Sequence, residues 1–210
     1  MTNPNLTLIG VLVDRSGSMA NMASEMDQAL KVFLEEQAKL PGRCEVTLAH
    51  FDNSYELVYK NLDVREVPEF HISPRYATAL MDALGKFTTN IGAELFARKE
   101  SDRPGKVIIC VITDGYENAS TQWSQFQVKN LITQQTNTYS WEFVFLGAGI
   151  NAVQVAEGVG IHQGSALAFQ YDTAPVAMAS MGNYVSNVRR GKLASFSGGD
   201  REHAVKPANK

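Results

Sequence analysis

Three oxygen-bearing side chains stand two residues apart in "VLVDRSGSMA": Asp14, Ser16 and Ser18. A second acid, Asp114, ends the apolar run in "VITDG", and a third hydroxyl, Thr78, opens the amphipathic stretch "TALMDAL". Carboxylate and hydroxyl oxygens, with no thiol or imidazole beside them, suit a hard cation such as Mg2+ or Mn2+ rather than zinc or copper. Mg2+ takes six oxygens at about 2.1 Å and sheds water reluctantly. Two carboxylates and three neutral hydroxyls leave it electrophilic and incompletely filled, open to a carboxylate from another molecule. Each residue also has a plainer use. Ser18 and Thr78 stand where helices begin and can cap them, while Asp14 and Asp114 can brace turns. Placement favours the metal, because a carboxylate at the end of a buried strand is costly unless something satisfies it.

The elements that must position these residues follow from hydrophobic spacing. "LTLIGVLV" (6–13) and "KVIICVIT" (106–113) are nearly continuous in apolar residues, as central parallel strands buried on both faces should be. "CEVTLAHF" (44–51) alternates more, and "DNS" turns it into "YELVYKN", a hairpin to an antiparallel edge strand. "WEFVFLG" (141–147) and "SALAFQY" (165–171) complete six strands. Helical periodicity covers 19–40, 78–98, 122–138, 151–158 and 174–190, and 61–77 has no clear period and two prolines. Strands alternating with helices predict a Rossmann-like, doubly wound α/β fold with a mainly parallel six-stranded sheet, one antiparallel edge strand and helices on both faces. In such sheets ligands bind at the strand carboxyl ends where the strand order reverses, and Asp14 and Asp114 end the two strongest strands. The expected domain spans 1–190, followed by a flexible tail, 191–210, rich in Gly, Ser, Lys and Pro.

Composition excludes more than it selects. A net charge of −3 with 20% charged residues offers no global case for nucleic acid or an anionic membrane. From Arg189 onward six Lys/Arg face two Asp/Glu, which makes a mildly basic end rather than a nucleic-acid-binding domain. "RRGK" (189–192) is a candidate docking point for an acidic surface or, more simply, a helix end that complements the dipole. The two cysteines, Cys44 and Cys110, lie in strand-like runs and read as buried free thiols of a reducing cytosol. No basic segment precedes the first apolar run, which is too short for a membrane span, so a soluble, cytoplasmic protein is expected.

"VLVDRSGSM" and "VITDG" together resemble the von Willebrand factor A domain. Its metal-ion-dependent adhesion site combines D-x-S-x-S after the first strand, a Thr in a later loop and an Asp after the fourth strand. The resemblance covers about residues 6–190 and extends more loosely to intracellular bacterial and phage members with a "FLGA" strand end. It implies that Ser16, Ser18 and Thr78 ligate through their hydroxyls while Asp14 and Asp114 act directly or through water. One departure is the unpatterned 61–77 segment, where many members have a clearer helix. The expected function is a metal-dependent protein-interaction module whose partner presents an Asp or Glu, with Arg15, Tyr76, Tyr116 and Glu117 on the surrounding loops.

Rival chemistries lack parts. "GAGINA" (147–152) fits a dinucleotide fingerprint but sits on the fifth strand, with no acid at the right distance. An aspartyl-nucleophile phosphatase needs a second acid two positions after Asp14, where Ser16 stands. A serine hydrolase needs His50 or His71 beside Ser16 or Ser18, and neither has a triad context. No catalytic constellation is evident, and an enzyme is not expected. The alternatives carried forward are a Mg2+-dependent phosphoester hydrolase and a structural subunit with an unused site.

Overall fold

In the computed structural model, which describes residues 1–206, the sheet is built from β1 (Asn3–Asp14), β2 (Arg43–Phe51), β3 (Tyr55–Asp63), β4 (Pro104–Thr113), β5 (Glu142–Ala148) and β6 (Ala166–Phe169). Their order is β3-β2-β1-β4-β5-β6. Only the β2–β3 hairpin is antiparallel; β1 pairs in parallel with β2 on one side and β4 on the other. The chain moves outward from β1 to β3 and then returns to the opposite side of β1, so the order reverses between β1 and β4. Val13 is registered against Ile112 there, which brings Asp14 and Asp114 together at the switch point.

Alternation along β1 divides the interior. Ile9, Val11 and Val13 face α1 (Ala23–Ala38) and α5 (Ala174–Arg189). Leu8 and Leu12 face α2 (Leu80–Ala97), α3 (Gln125–Tyr139) and α4 (Ala152–Gly158). Gly10 shares this second face, where a Cβ would stand 2.8 Å from Ile109 and 3.0 Å from both Ile91 and Phe87. The missing side chain lets α2 lie close on the sheet.

Helix starts differ from the sequence expectation. A short 3-10 segment, Gly17–Asn21, precedes α1, and neither it nor α1 has a side-chain cap. Ser18 therefore caps nothing. Thr78 does not cap α2 either: Glu117 accepts from the Met81 N–H (2.8 Å) and Ser120 Oγ from the Asp82 N–H (3.0 Å). Asp82 returns the favour, accepting from the backbone of Thr121, Gln122 and Trp123. Residues 64–79 contain no regular element, as the two prolines imply.

The stretch expected to be a tail contains a helix, α6 (Gly198–Val205). Ser197 and Asp200 form a capping box, and Phe196 and Ala204 are buried against the core. Residues 207–210 lie outside the described residues. Arg189, read as part of a docking patch or a dipole-complementing end, does stand in the last turn of α5, and it also latches α1, donating to the Gln37 carbonyl (2.6 Å). Cys44 and Cys110 are buried, unpaired thiols. Among the described residues no helix is long and apolar enough to cross a membrane.

Candidate functional site

β1 carries Asp14 to the carboxyl edge of the sheet with no exposed surface. Its Oδ1 accepts from the Ser16 N–H (2.6 Å), so the turn-bracing use foreseen for Asp14 is realised. Its Oδ2 accepts from the Thr113 hydroxyl at 2.5 Å. Thr113, the last residue of β4, also accepts from the Gly115 N–H (3.2 Å) and ties the two strand ends together. The chain then turns so that Ser16 Oγ and Ser18 Oγ stand 3.2 Å apart, and Ser18 donates to Asp114 Oδ1 at 2.7 Å. A hydroxyl expected to cap a helix reaches across the switch point instead.

Asp114 Oδ2 is buried and has no hydrogen-bond partner. Burial pushes the Asp114 carboxyl above its ordinary range, against the opposing influence of the Ser18 hydroxyl on Oδ1 and of the Tyr171 hydroxyl, which lies nearby without completing a hydrogen bond. Burial also lifts Asp14 to about 6, although Thr113 and Ser16 favour its ionised form. Two carboxylates held in a poorly hydrated crevice with one oxygen unpartnered form an electron-rich site that a cation would relieve.

Thr78 makes no side-chain hydrogen bond to the other four residues, yet the fold brings it in. A Cβ on Gly115 would stand only 2.7 Å from Thr78 Oγ1, so glycine at 115 leaves room for that hydroxyl. Asn118 fixes the backbone of Thr78 on both sides, accepting from its N–H (2.9 Å) and donating to its carbonyl (3.0 Å). All five predicted residues therefore meet at one sheet edge, and they share it with two residues the sequence reading missed. Thr113 had a signal, a hydroxyl closing an otherwise apolar strand. Asn118 had none, since its contact is 40 residues away in the chain.

The surroundings differ in part from expectation. Tyr76 and Tyr116 are exposed loop residues, at 69% and 55%. The Tyr116 hydroxyl accepts from the Asn151 N–H at 3.1 Å. Arg15 is not a surface contact: it is buried, donating through Nε to Asp52 (3.0 Å) and pairing through Nη1 with Glu56 (2.8 Å). Glu117 serves the α2 terminus. His50 is buried, edge-on to Phe70, and His71 pairs with Asp27 on α1, so neither hydrogen-bonds to a site serine. In "GAGINA", Gly147 is needed for packing, since a Cβ would lie 2.8 Å from that of Ala152, and Gly149 supplies a left-handed turn at φ 64°.

A D-x-S-x-S turn and a second acid stand at the switch point of a doubly wound sheet, and comparison with solved structures shows which fold this sheet belongs to. The chain has the von Willebrand factor A fold. It is similar to the von Willebrand factor domain of the type V pili tip protein Mfa5 from Porphyromonas gingivalis (TM-score 0.63, 9% identity, 91% of this chain and 97% of that one). It is also similar to proximal thread matrix protein 1 of the mussel byssus with a zinc-occupied metal-ion-dependent adhesion site (0.59, 15%, 86% and 46%). Manganese-loaded TRAP protein of Plasmodium vivax is a third (0.52, 15%, 75% and 64%). The chain spans under half the length of proximal thread matrix protein 1 and of several other similar structures. No family model matches the sequence, and no curated protein matches it.

Proposed function

We propose that this domain binds Mg2+ or Mn2+ through Asp14, Ser16, Ser18, Thr78 and Asp114 and uses the ion to capture a carboxylate of a protein partner. The observation that carries the reading is the buried, unpartnered Oδ2 of Asp114, set among a second buried carboxylate and three hydroxyls. The donor set fits a hard cation, and similar structures hold zinc or manganese. A bound cation would supply Lewis acidity toward an incoming carboxylate. The chain's own residues do the rest: Thr113 and the Ser16 amide hold Asp14, Asn118 holds Thr78, and exposed Tyr76 and Tyr116 border the approach. Aromatic side chains of this kind are enriched in binding hot spots. The reading requires no catalytic base, and the two buried thiols suit a cytoplasmic setting.

Titration calorimetry with MnCl2 tests the metal directly. Wild type should bind one ion and Asp114→Ala should not; equal binding by both would overturn the assignment. A partner captured by the immobilised domain in Mg2+ is then purified and remeasured. Its affinity should fall with EDTA, with Asp14→Ala, and when one of its own acidic residues is replaced by alanine. Affinity indifferent to all three would refute carboxylate capture.

A further inference from the structure

Asp52 lies just beyond β2, outside the five proposed ligands, and has no exposed surface. Its Oδ2 accepts from Arg15 Nε (3.0 Å) and Arg75 Nε (2.7 Å), and its Oδ1 from the Ser54 N–H (2.7 Å). These donors come from three segments: the turn carrying Ser16 and Ser18, the loop leading to Thr78, and the β2–β3 hairpin. Main-chain bonds run parallel to the side-chain ones. Arg75 N–H donates to the Arg15 carbonyl (2.8 Å), Gly17 N–H to the Tyr76 carbonyl (3.0 Å), and Ala79 N–H to the Asp52 carbonyl (2.8 Å). Thr78 therefore hangs between the Arg75–Tyr76 pair and Ala79, and Asp52 anchors both ends.

Three features mark this assembly as more than a folded hairpin. Tyr76 holds φ at 60°, a left-handed conformation unusual for a bulky residue that persists only where its surroundings impose it. The Arg75 guanidinium, already bound to Asp52, lies 5.4 Å from the centre of the Tyr76 ring. Arg15 is buried, with Nε on Asp52 and Nη1 on Glu56, so its charge serves the hairpin rather than an approaching molecule. The second residue of D-x-S-x-S is thus bound to the loop that carries the third hydroxyl.

We infer that Asp52, with Arg15 and Arg75, positions Thr78 relative to Ser16 and Ser18 and thereby sets the cation affinity of the site. None of the three touches the proposed ligand oxygens; they act through the backbone that carries them. The inference rests on the metal reading above. Outer residues that orient metal ligands typically change affinity by about 10–100-fold when removed, and that range is the expected effect here.

The test uses Arg75→Gln, because Arg75 is 45% exposed at its side chain and its loss leaves Arg15 to hold Asp52. Asp52→Asn is the stronger variant. For each, Mn2+ affinity is measured by calorimetry and by the free-ion electron paramagnetic resonance signal, alongside the melting temperature in EDTA. Arg75→Gln should bind Mn2+ at least about tenfold more weakly while its metal-free melting temperature stays within a few degrees. Arg75→Lys, which keeps the charge but not the planar donor geometry, should recover affinity only in part. Unchanged Mn2+ affinity in Arg75→Gln would overturn the inference with the metal reading intact. Failure of wild type to bind Mn2+ would instead overturn that underlying reading. If Asp52→Asn does not fold, Arg75→Gln and Arg75→Lys decide the matter.

Discussion

Replacing Asp14 by Asn separates the charge of this residue from its shape. Asp14 accepts two hydrogen bonds, from the Ser16 amide and the Thr113 hydroxyl. An asparagine keeps both by accepting the first and donating its NH2 to Thr113 Oγ, which then turns its proton to the Gly115 carbonyl 3.2 Å away. Only the buried charge is lost. Burial raises the Asp14 carboxyl from 3.8 to about 6, which corresponds to about 3 kcal/mol in favour of the protonated form. Below pH 3.8 the residue is protonated in folded and unfolded chains alike and costs nothing. As pH rises towards 6 the unfolded chain releases the proton first, so metal-free stability falls, and the full cost is present above pH 6.

In EDTA at pH 7.5, Asp14→Asn should therefore be more stable than wild type by about 1–3 kcal/mol, the lower values allowing for burial of the new amide. For a domain of this size that is roughly 2–12 °C in melting temperature. The advantage should vanish near pH 4. Saturating Mg2+ or Mn2+ should reverse the order, because an ion at about a thousand times its dissociation constant adds about 4.1 kcal/mol to wild type and little to the variant. Scanning calorimetry in EDTA and in MnCl2 at pH 4 and 7.5 makes the comparison. An Asp14→Asn protein less stable than wild type in EDTA at pH 7.5 would refute the reasoning.

Thr113→Val removes the donor to Asp14 Oδ2. It should lower stability by about 1–3 kcal/mol in denaturant titrations in EDTA and weaken Mn2+ binding in calorimetry. Burial lowers His50 to about 4, so the neutral ring contributes stability that is complete above pH 6.5 and lost as pH falls towards 4. His50→Phe should flatten that loss, worth about 3 kcal/mol, in urea titrations between pH 7 and 4. At Gly85 a Cβ would stand 2.1 Å from the Trp123 indole. Gly85→Ala should cost about 1–3 kcal/mol and shift Trp123 fluorescence to the red as the ring is displaced.

Much of the fold was legible because its strongest strands are unambiguous. β1 and β4 announce themselves as apolar runs, each is followed by or ends in an acid, and reversal of strand order after a long crossover puts them side by side at the switch point. Asp14, Ser16, Ser18 and Asp114 stood out from that geometry and from the D-x-S-x-S spacing, and the resemblance to the von Willebrand factor A domain joined Thr78 to them as a set. What escaped was whatever depended on a partner far along the chain. Arg15 reads as a loop cation and turns out buried because Asp52 and Glu56 neutralise it from the hairpin. Ser18 and Thr78 look like caps because a hydroxyl before a helix usually is one, but here Glu117 and Ser120 cap α2 from another loop. α6 was missed for a different reason. Its composition suggests a loose tail, while the Ser197–Asp200 spacing carries a helix-start signal that composition alone conceals.

The adjacency of β1 and β4 also has a temporal consequence. The hydrogen bond from Thr113 to Asp14 spans 99 residues and that from Ser18 to Asp114 spans 96. As the chain is synthesised, Asp114 emerges 100 residues after Asp14. Contacts of such sequence separation form slowly because the intervening loop must first be closed. The cation site exists only once these two strands have paired, so occupancy of the crevice by a cation would register that this long loop has been closed.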